Sequence, residues 1–187
     1  MADSAAADEA AGPPSIDEVA DGDLRPAGRY GLIALVAVLV LVADQLSKAW
    51  AVSTLSIPGK FIELVAGIEF RLAFNSGMAF SRGQGLGRFI GLIVIVVVVA
   101  VLWFARNVRD WPTRLAIGLI VGGALGNLAD RAFRAGIPGE SRPFMGGRVV
   151  DFVYTGWWPT FNIADASVVI GGILLAVMVM RSPPEPS

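Results

Sequence analysis

Long apolar stretches separated by polar segments dominate this chain. Four of them stand out, at Tyr30–Ala43, Phe89–Ala105, Leu115–Ala129 and Ala166–Met180. A helix needs about 20 largely apolar residues to cross a bilayer, and only the second stretch approaches that length without a polar end. The second stretch is rich in Val, but a lone strand cannot satisfy its backbone hydrogen bonds in lipid. The pattern therefore predicts four transmembrane helices.

The polar residues that complete these helices fall at particular ends. Consecutive spans are antiparallel, so the C-terminal ends of the first and third share a membrane face with the N-terminal ends of the second and fourth. Spacings of three and four residues place the polar residues at each helix end on one face of that helix. The topology therefore predicts one polar cluster at one face of the membrane. Its members are Asp44, Lys48, Asn75, Asn127, Asp130, Arg131, Asn162 and Asp165.

The connections differ in pattern. Apolar and other residues alternate in "GIEFRLAF", Gly67–Phe74, which is the period of a half-buried strand, and Phe61–Leu64 can pair with it across "VAG". We therefore expect a small sheet at the membrane surface. The segment Ala132–Thr160 is rich in Gly, Pro and Arg and predicts a loop. In the third span, Gly118, Gly122 and Gly126 form a ridge of small residues that favours close helix packing.

Composition narrows the chemistry. The chain has 187 residues, is 55% hydrophobic, carries a net charge of −1 and contains neither Cys nor His. Its mean hydropathy is +0.64, which is high for a soluble domain. Disulfides, thiol catalysis and a Ser-His-Asp triad are excluded, and nothing suggests nucleic acid as a partner. We predict disordered tails at 1–28 and 182–187 around a single four-helix domain at 29–181, with no metal and no cofactor.

Membrane orientation is predicted from the short connection Arg106–Arg114, which holds three Arg in nine residues. Short cytoplasmic loops carry an excess of Lys and Arg, so this connection favours the cytoplasm. Both termini are then cytoplasmic, and the polar cluster faces the other side. A raw count of positive residues opposes this orientation, but several of the opposing residues lie in long loops or in the cluster itself, where the rule is weaker.

Five short motifs occur in a fixed order on the predicted spans. They are "DQLSK", "NSGMAF", "GGALGNLADR", "VVDF" and "FNIADA", and they cover most of the chain from Ala43 to Ala166. Together they resemble bacterial lipoprotein signal peptidase, also called signal peptidase II. The resemblance implies an aspartic peptidase of the bacterial cytoplasmic membrane with a catalytic pair at Asp151 and Asp165. It assigns supporting roles to Asp44, Lys48, Asn75, Asn127, Asp130, Arg131 and Asn162.

The resemblance also implies the substrate. It is a prolipoprotein whose cysteine carries a diacylglyceryl group, and the cut lies on the amino side of that cysteine. The expected partners are this substrate and membrane lipids, and the chain is expected to be a monomer. Two carboxylates that share a site of low dielectric retain one proton between them. Such a pair can activate water and protonate the substrate carbonyl without a metal.

Each polar residue also has a plainer interpretation. Asp151 can be an exposed loop carboxylate or a partner of Arg148, and Asp165 can complement a helix dipole. For Asp44 and Lys48 we favour a structural ion pair. Asp130 can pair with Arg134, which leaves Arg131 to face the site or the lipid headgroups. Asn127 and Asn162 are expected to hydrogen-bond across helices and orient the acids, and Asn75 to contact the substrate backbone.

Two other classes of protein compete with a peptidase. Paired acids in a membrane also suit a proton-coupled carrier. A carrier needs polar residues along the whole path, and the second span has none near its midpoint. A non-catalytic scaffold would account for the glycine ridge but leaves the convergence of the acids unexplained.

Overall fold

A computed structural model describes residues 26–65, 67–76, 86–134 and 144–181 of the chain. Its four helices are α1 at Pro26–Leu55, α2 at Leu86–Ala105, α3 at Trp111–Phe133 and α4 at Ile163–Arg181. Its three strands are β1 at Phe61–Val65, β2 at Ile68–Asn75 and β3 at Val149–Tyr154.

Each predicted apolar stretch lies inside one of these helices, and the helices also include the polar ends. Helices α1, α3 and α4 are long and apolar enough to cross a membrane, whereas the apolar segment of α2, Phe89–Ala105, is shorter. The protein is therefore a mainly helical membrane protein with a small antiparallel sheet. The predicted tails, apart from residues 26–28, lie outside the described residues, as do residues 77–80 of the "NSGMAF" motif.

Helix α3 lies at the centre of the bundle, and glycines allow its neighbours to approach closely. A Cβ atom at Gly118 would lie 2.7 Å from the Cβ of Val36 in α1, and one at Gly122 would lie 2.7 Å from the Cβ of Val40 in α1. Neither position has room for a larger residue. The predicted ridge is therefore a packing surface, and it ends at Gly126, next to a carboxylate of α1.

The sheet has the order β1-β2-β3, with both pairs antiparallel. The β1–β2 hairpin confirms the prediction made from the alternating pattern. Strand β3 corrects it, because Val149–Tyr154 was predicted as part of a loop. Its first four residues are all buried, so the strand shows no alternation of apolar and polar residues and could not be recognised by that period.

The sheet packs against the C-terminal end of α1. Ala51 and Leu55 of the helix form a buried cluster with Val150 and Phe152 of β3. This contact places β3 beside the helix ends that carry the predicted polar residues.

Candidate active site

A group of ionic side chains, all buried except the partly exposed Arg134, joins α1 to α3, and we call it the charged cluster: Asp44, Lys48, Asp130 and Arg134. The Nζ atom of Lys48 lies 2.8 Å from Oδ2 of Asp44 and 3.1 Å from Oδ2 of Asp130. The Nη2 atom of Arg134 lies 2.9 Å from Oδ1 of Asp130. Asp44 and Lys48 are completely buried. The predicted pairs, Asp44 with Lys48 and Asp130 with Arg134, are both present.

The two acids of the charged cluster also hold the backbone of two other elements. The N–H of Ala164, in the first turn of α4, donates to Oδ1 of Asp44 at 3.0 Å. The N–H of Val150, in β3, donates to Oδ2 of Asp130 at 3.0 Å. Each of these backbone groups belongs to the residue immediately before one of the predicted catalytic acids.

Asp165 lies in the first turn of α4, where it forms a reciprocal cap with Asn162. The Asp165 N–H donates to Oδ1 of Asn162 at 2.9 Å, and the Asn162 N–H donates to Oδ2 of Asp165 at 3.3 Å. This is a capping box, which satisfies backbone donors at a helix start. Asp165 therefore lies at a helix N-terminus, where an acid complements the helix dipole, as its plainer interpretation expects. Its Oδ1 atom has a further role, because it accepts from Nδ2 of Asn127 in α3 at 2.7 Å.

Asp151 lies in β3 and is only 3% exposed. Its Oδ1 atom accepts a 2.7 Å hydrogen bond from Nδ2 of Asn162, and its side chain is also hydrogen-bonded to Asn75. Nδ2 of Asn162 lies 3.1 Å from Oδ1 of Asn127 as well. The asparagines therefore connect the two acids across α3, β3 and α4, as predicted.

Neither of the plainer interpretations of Asp151, an exposed loop carboxylate or a partner of Arg148, agrees with the structure. The residue is buried in a strand, so it is not an exposed loop carboxylate. The guanidinium of Arg148 lies over the ring of Phe74, 4.6 Å from its centroid. Within the described residues, no ion pair joins Asp151 or Asp165 to a Lys or Arg side chain.

An irregularity in β2 brings Asn75 to Asp151. Phe70 lies opposite Val153 and Ala73 lies opposite Asp151, so β2 advances by three residues while β3 advances by two. Such a bulge reverses the alternation of side chains along the longer strand. Asn75, two residues after Ala73, therefore lies on the same face of the sheet as Asp151. Without the bulge, Asn75 would lie on the opposite face.

The electrostatics of Asp151 follow from this environment. Burial, and then the negative charge of Asp165, raise the pKa of Asp151 to about 6. Hydrogen bonds from Asn75 and Asn162 and the charge of Lys48 act in the opposite direction, but they do not cancel the increase. A buried acid that interacts with a second acid can hold a proton near neutral pH.

Arg131 is the other cation close to the two acids. It is 7% exposed and interacts electrostatically with Asp151, Asp165 and Asp130. Its Nη1 atom is buried and has no hydrogen-bond partner in the part of the chain that the structure describes. The prediction left Arg131 facing either the site or the headgroups, and the structure places it at the site.

Sequence reasoning missed two features of the site. Nε2 of Gln45 lies 3.1 Å from Oδ2 of Asp44 and 3.1 Å from the carbonyl oxygen of Gly126, so it belongs to the α1–α3 contact. Its position inside "DQLSK" was the available signal. A pocket beside Asp165, lined by Thr155, Trp157 and Trp158, was also missed.

Known proteins are similar to this chain in sequence and in fold. Residues 36–181 match the family described as signal peptidase (SPase) II. A lipoprotein signal peptidase of Mycobacterium leprae (strain Br4923) is 41% identical over 166 residues, which cover 88% of this chain and 78% of that protein. One of Rhodococcus jostii (strain RHA1) is 43% identical over 150 residues, which cover 80% and 72%.

A solved structure, described as a bacterial membrane enzyme, has a TM-score of 0.69 and 30% identity to this chain. The match covers 82% of this chain and 95% of that one. These similarities give no support to a proton-coupled carrier. The match to the family extends from the first long helix through the charged cluster, the sheet and both acids, so this chain belongs to the signal peptidase (SPase) II family of aspartic peptidases.

Proposed function

We propose that this protein removes signal peptides from diacylglyceryl-modified prolipoproteins, with Asp151 and Asp165 as its catalytic pair. The cut lies on the amino side of the lipidated cysteine. The observation that carries the proposal is the pairing of two acids, one of them almost fully buried, whose described side-chain hydrogen bonds come from asparagine amides rather than from cations.

In this mechanism, the two carboxylates share one proton. The ionised carboxylate accepts a proton from a water molecule, and the oxygen of that water attacks the scissile carbonyl carbon. The protonated carboxylate donates to the carbonyl oxygen, and a proton then reaches the leaving nitrogen. Because the proton belongs to the pair, it is not assigned to one residue. Asn75, Asn127 and Asn162 fix the directions of the carboxylates, and Arg131 offsets part of their negative charge.

The helix ends support a placement of the acids at one membrane face, and the three Arg residues of Arg106–Arg114 support the cytoplasmic side for the opposite face. All four helices cross the bacterial cytoplasmic membrane, both termini are cytoplasmic, and the catalytic pair opens toward the extracytoplasmic face. Exported precursors that are already lipidated reach the site from that side. The enzyme acts as a monomer in contact with membrane lipids.

Cleavage of a lipidated prolipoprotein by the purified full-length protein tests the activity. Mass spectrometry should find a product that begins at the lipidated cysteine, and the same precursor without the diacylglyceryl group should remain uncut. Cleavage at another bond, or equal cleavage of the unmodified precursor, would contradict the proposal.

Thiol labelling tests the orientation, because the native chain has no Cys. Ile57 follows α1 on the side of the site, Arg109 lies in the α2–α3 connection, and both are exposed. A membrane-impermeant reagent should label the Ile57→Cys variant in intact cells and the Arg109→Cys variant only after permeabilisation. The reverse result would mean that the catalytic pair faces the cytoplasm.

A further inference from the structure

A pocket of about 380 Å³ lies directly beside Asp165. The segment that follows β3 forms one wall and includes Thr155, Trp157 and Trp158, while the first turns of α4 form the other. Gly156 has a φ of +80°, a conformation that L side chains rarely adopt, and it turns the chain between Thr155 and Trp157. The two indole rings meet edge to face with centroids 5.9 Å apart. We call this cavity the Trp pocket.

The Trp pocket leads from the reacting acid toward lipid. Asp165 and Val169 are four residues apart in α4 and lie on one face of the helix, and Ala166 and Ile170 form the neighbouring row. Val169 and Ile170 are 57% and 58% exposed, which in a membrane-spanning helix means exposure to hydrocarbon. At a rise of about 1.5 Å per residue, the path from Asp165 to Ile170 covers roughly 7.5 Å along the helix.

The size of the pocket restricts what can occupy it. A helical signal peptide is about 10–12 Å wide with its side chains, and it needs a longer groove than one wall of roughly a turn and a half. A hydrocarbon chain is much narrower. An acyl chain attached through the glyceryl group of the cysteine can begin near the scissile bond, follow α4 and leave toward the lipid.

The hydroxyl of Thr155 can supply a hydrogen-bond donor to the pocket. Thr155 lines it, and the Thr155 hydroxyl oxygen is buried without a hydrogen-bond partner in the part of the chain that the structure describes. A buried hydroxyl without a partner is costly, whereas one that donates to a ligand is satisfied. An ester carbonyl provides a matching acceptor. The remaining walls are mainly aromatic and aliphatic.

We infer that the Trp pocket holds one ester-linked acyl chain of the lipidated substrate, with the Thr155 hydroxyl donating to the ester carbonyl oxygen. This inference rests on the proposed function, because it takes the diacylglyceryl cysteine as the substrate. An acyl chain that moves from lipid into this pocket gains little from the hydrophobic effect, so close contact with the walls must supply the selectivity. The pocket therefore selects for chain length and shape.

The first experiment fills the pocket with the Val169→Phe variant. The matched control is Val179→Phe, at another lipid-exposed valine of α4 that does not line the pocket. Each full-length protein is assayed in the same detergent on two prolipoproteins of identical sequence, one with long acyl chains and one with very short chains. Val169→Phe should lower kcat/KM for the long-chain substrate by about tenfold and leave the short-chain value unchanged. Val179→Phe should match the wild type on both.

The second experiment tests the hydroxyl. Thr155→Val keeps the shape of the side chain and removes the donor. It should lower kcat/KM several-fold for the ester-linked substrate, mainly through KM, and should have no effect on an ether-linked analogue that lacks the carbonyl oxygen. An equal loss on both substrates would show that Thr155 has a structural role and would overturn its part of the inference.

The outcomes distinguish a failure of the pocket assignment from a failure of the proposed function. If the wild type cleaves neither lipidated substrate, the proposed function fails and the acyl-chain assignment fails with it. If the wild type cleaves both, and Val169→Phe affects them equally or not at all, the proposed function stands and the pocket assignment fails. In that case Trp157 and Trp158 serve as interfacial anchors, a common role of Trp at membrane surfaces.

Discussion

Two pairs of aspartates lie within one buried polar region, and their surroundings differ. In the charged cluster, Asp44 and Asp130 share Lys48, and Asp130 also contacts Arg134. Asp151 and Asp165 instead receive side-chain hydrogen bonds from asparagine amides. The first pair has its charge balanced by direct contact with cations, whereas the second does not.

The difference agrees with the roles that we propose, a structural role for the first pair and a catalytic role for the second. A buried acid that contacts a cation has its charge compensated, and it destabilises the fold when the cation is removed. A buried acid held by neutral amides keeps a defined direction while its proton affinity remains high, which suits proton transfer. Asn127 links the two pairs, because its Oδ1 atom lies 3.0 Å from Nζ of Lys48 and its Nδ2 atom donates to Asp165.

The largest effect is expected when the second pair loses its acidity. Asp151→Asn and Asp165→Asn should each reduce cleavage of the lipidated substrate by about a thousandfold or more, because an amide cannot transfer the proton. The matched control is Asp110→Asn at the N-cap of α3, where Asn caps as well as Asp and activity should be normal. Turnover near the wild-type rate in either site variant would remove that residue from the catalytic pair.

The next effect concerns stability. Lys48→Met removes the cation shared by Asp44 and Asp130, and leaving these charges buried should reduce the free energy of unfolding by roughly 3–5 kcal/mol. The exposed Lys60→Met is the control, and its thermal midpoint in the same detergent should match that of the wild type. Adding Asp44→Asn to Lys48→Met should recover part of the loss. An unchanged midpoint for Lys48→Met alone would show that the charged cluster is not the structural pair.

The third prediction uses the pH dependence of Asp151. The pKa of Asp151 in the folded protein is raised to about 6, so its contribution to stability is fully present below the unfolded pKa of 3.8 and is lost as the pH rises through 6. Asp151→Asn removes this dependence. The variant should therefore be similar to the wild type near pH 4 and more stable by roughly 3 kcal/mol near pH 8.

Thermal midpoints of the wild type and Asp151→Asn, measured across this range in one detergent, check the sign. Asp110→Asn provides the comparison for an aspartate outside the site. A wild type that gains stability relative to Asp151→Asn with rising pH would contradict the electrostatic difference between the two pairs.

The smallest effect concerns the glycine next to the charged cluster. A Cβ atom at Gly126 would lie 2.6 Å from Oδ2 of Asp44, so Gly126→Ala should displace that carboxylate and reduce the free energy of unfolding by roughly 2 kcal/mol. Gly172 in α4 has nothing within 4 Å of the same position. Gly172→Ala should therefore be neutral or slightly stabilising. Equal midpoints for the two variants would mean that the α1–α3 contact tolerates displacement of Asp44.

Much of this arrangement was predictable, because helical period and membrane topology are local rules. These rules alone bring Asp44, Lys48, Asn127, Asp130 and Asp165 to one end of the bundle. The β1–β2 hairpin was predicted from alternation for the same reason. These features depend on residues a few positions apart in the chain, so a single sequence contains the information.

The features that were missed depend on contacts between distant segments. Strand β3 is buried along its first four residues, where it packs against α1 and pairs with β2, so its sequence carries no alternation to mark it. The bulge that turns Asn75 toward Asp151 exists only as a register between two strands. The pocket beside Asp165 is formed where two segments meet, and the local sequence around Trp157 and Trp158 does not indicate it.

The backbone bonds from Val150 and Ala164 have a mechanical consequence. Each links the residue before one of the proposed catalytic acids to one carboxylate of the charged cluster, and Lys48 contacts both of those carboxylates. The distance between Asp151 and Asp165 is thereby tied to a single ammonium group. Helices tilt to match the thickness of a bilayer. A spacing fixed in this way should stay nearly constant while the helices tilt, so the enzyme should retain its catalytic geometry in membranes of different thickness and lateral pressure.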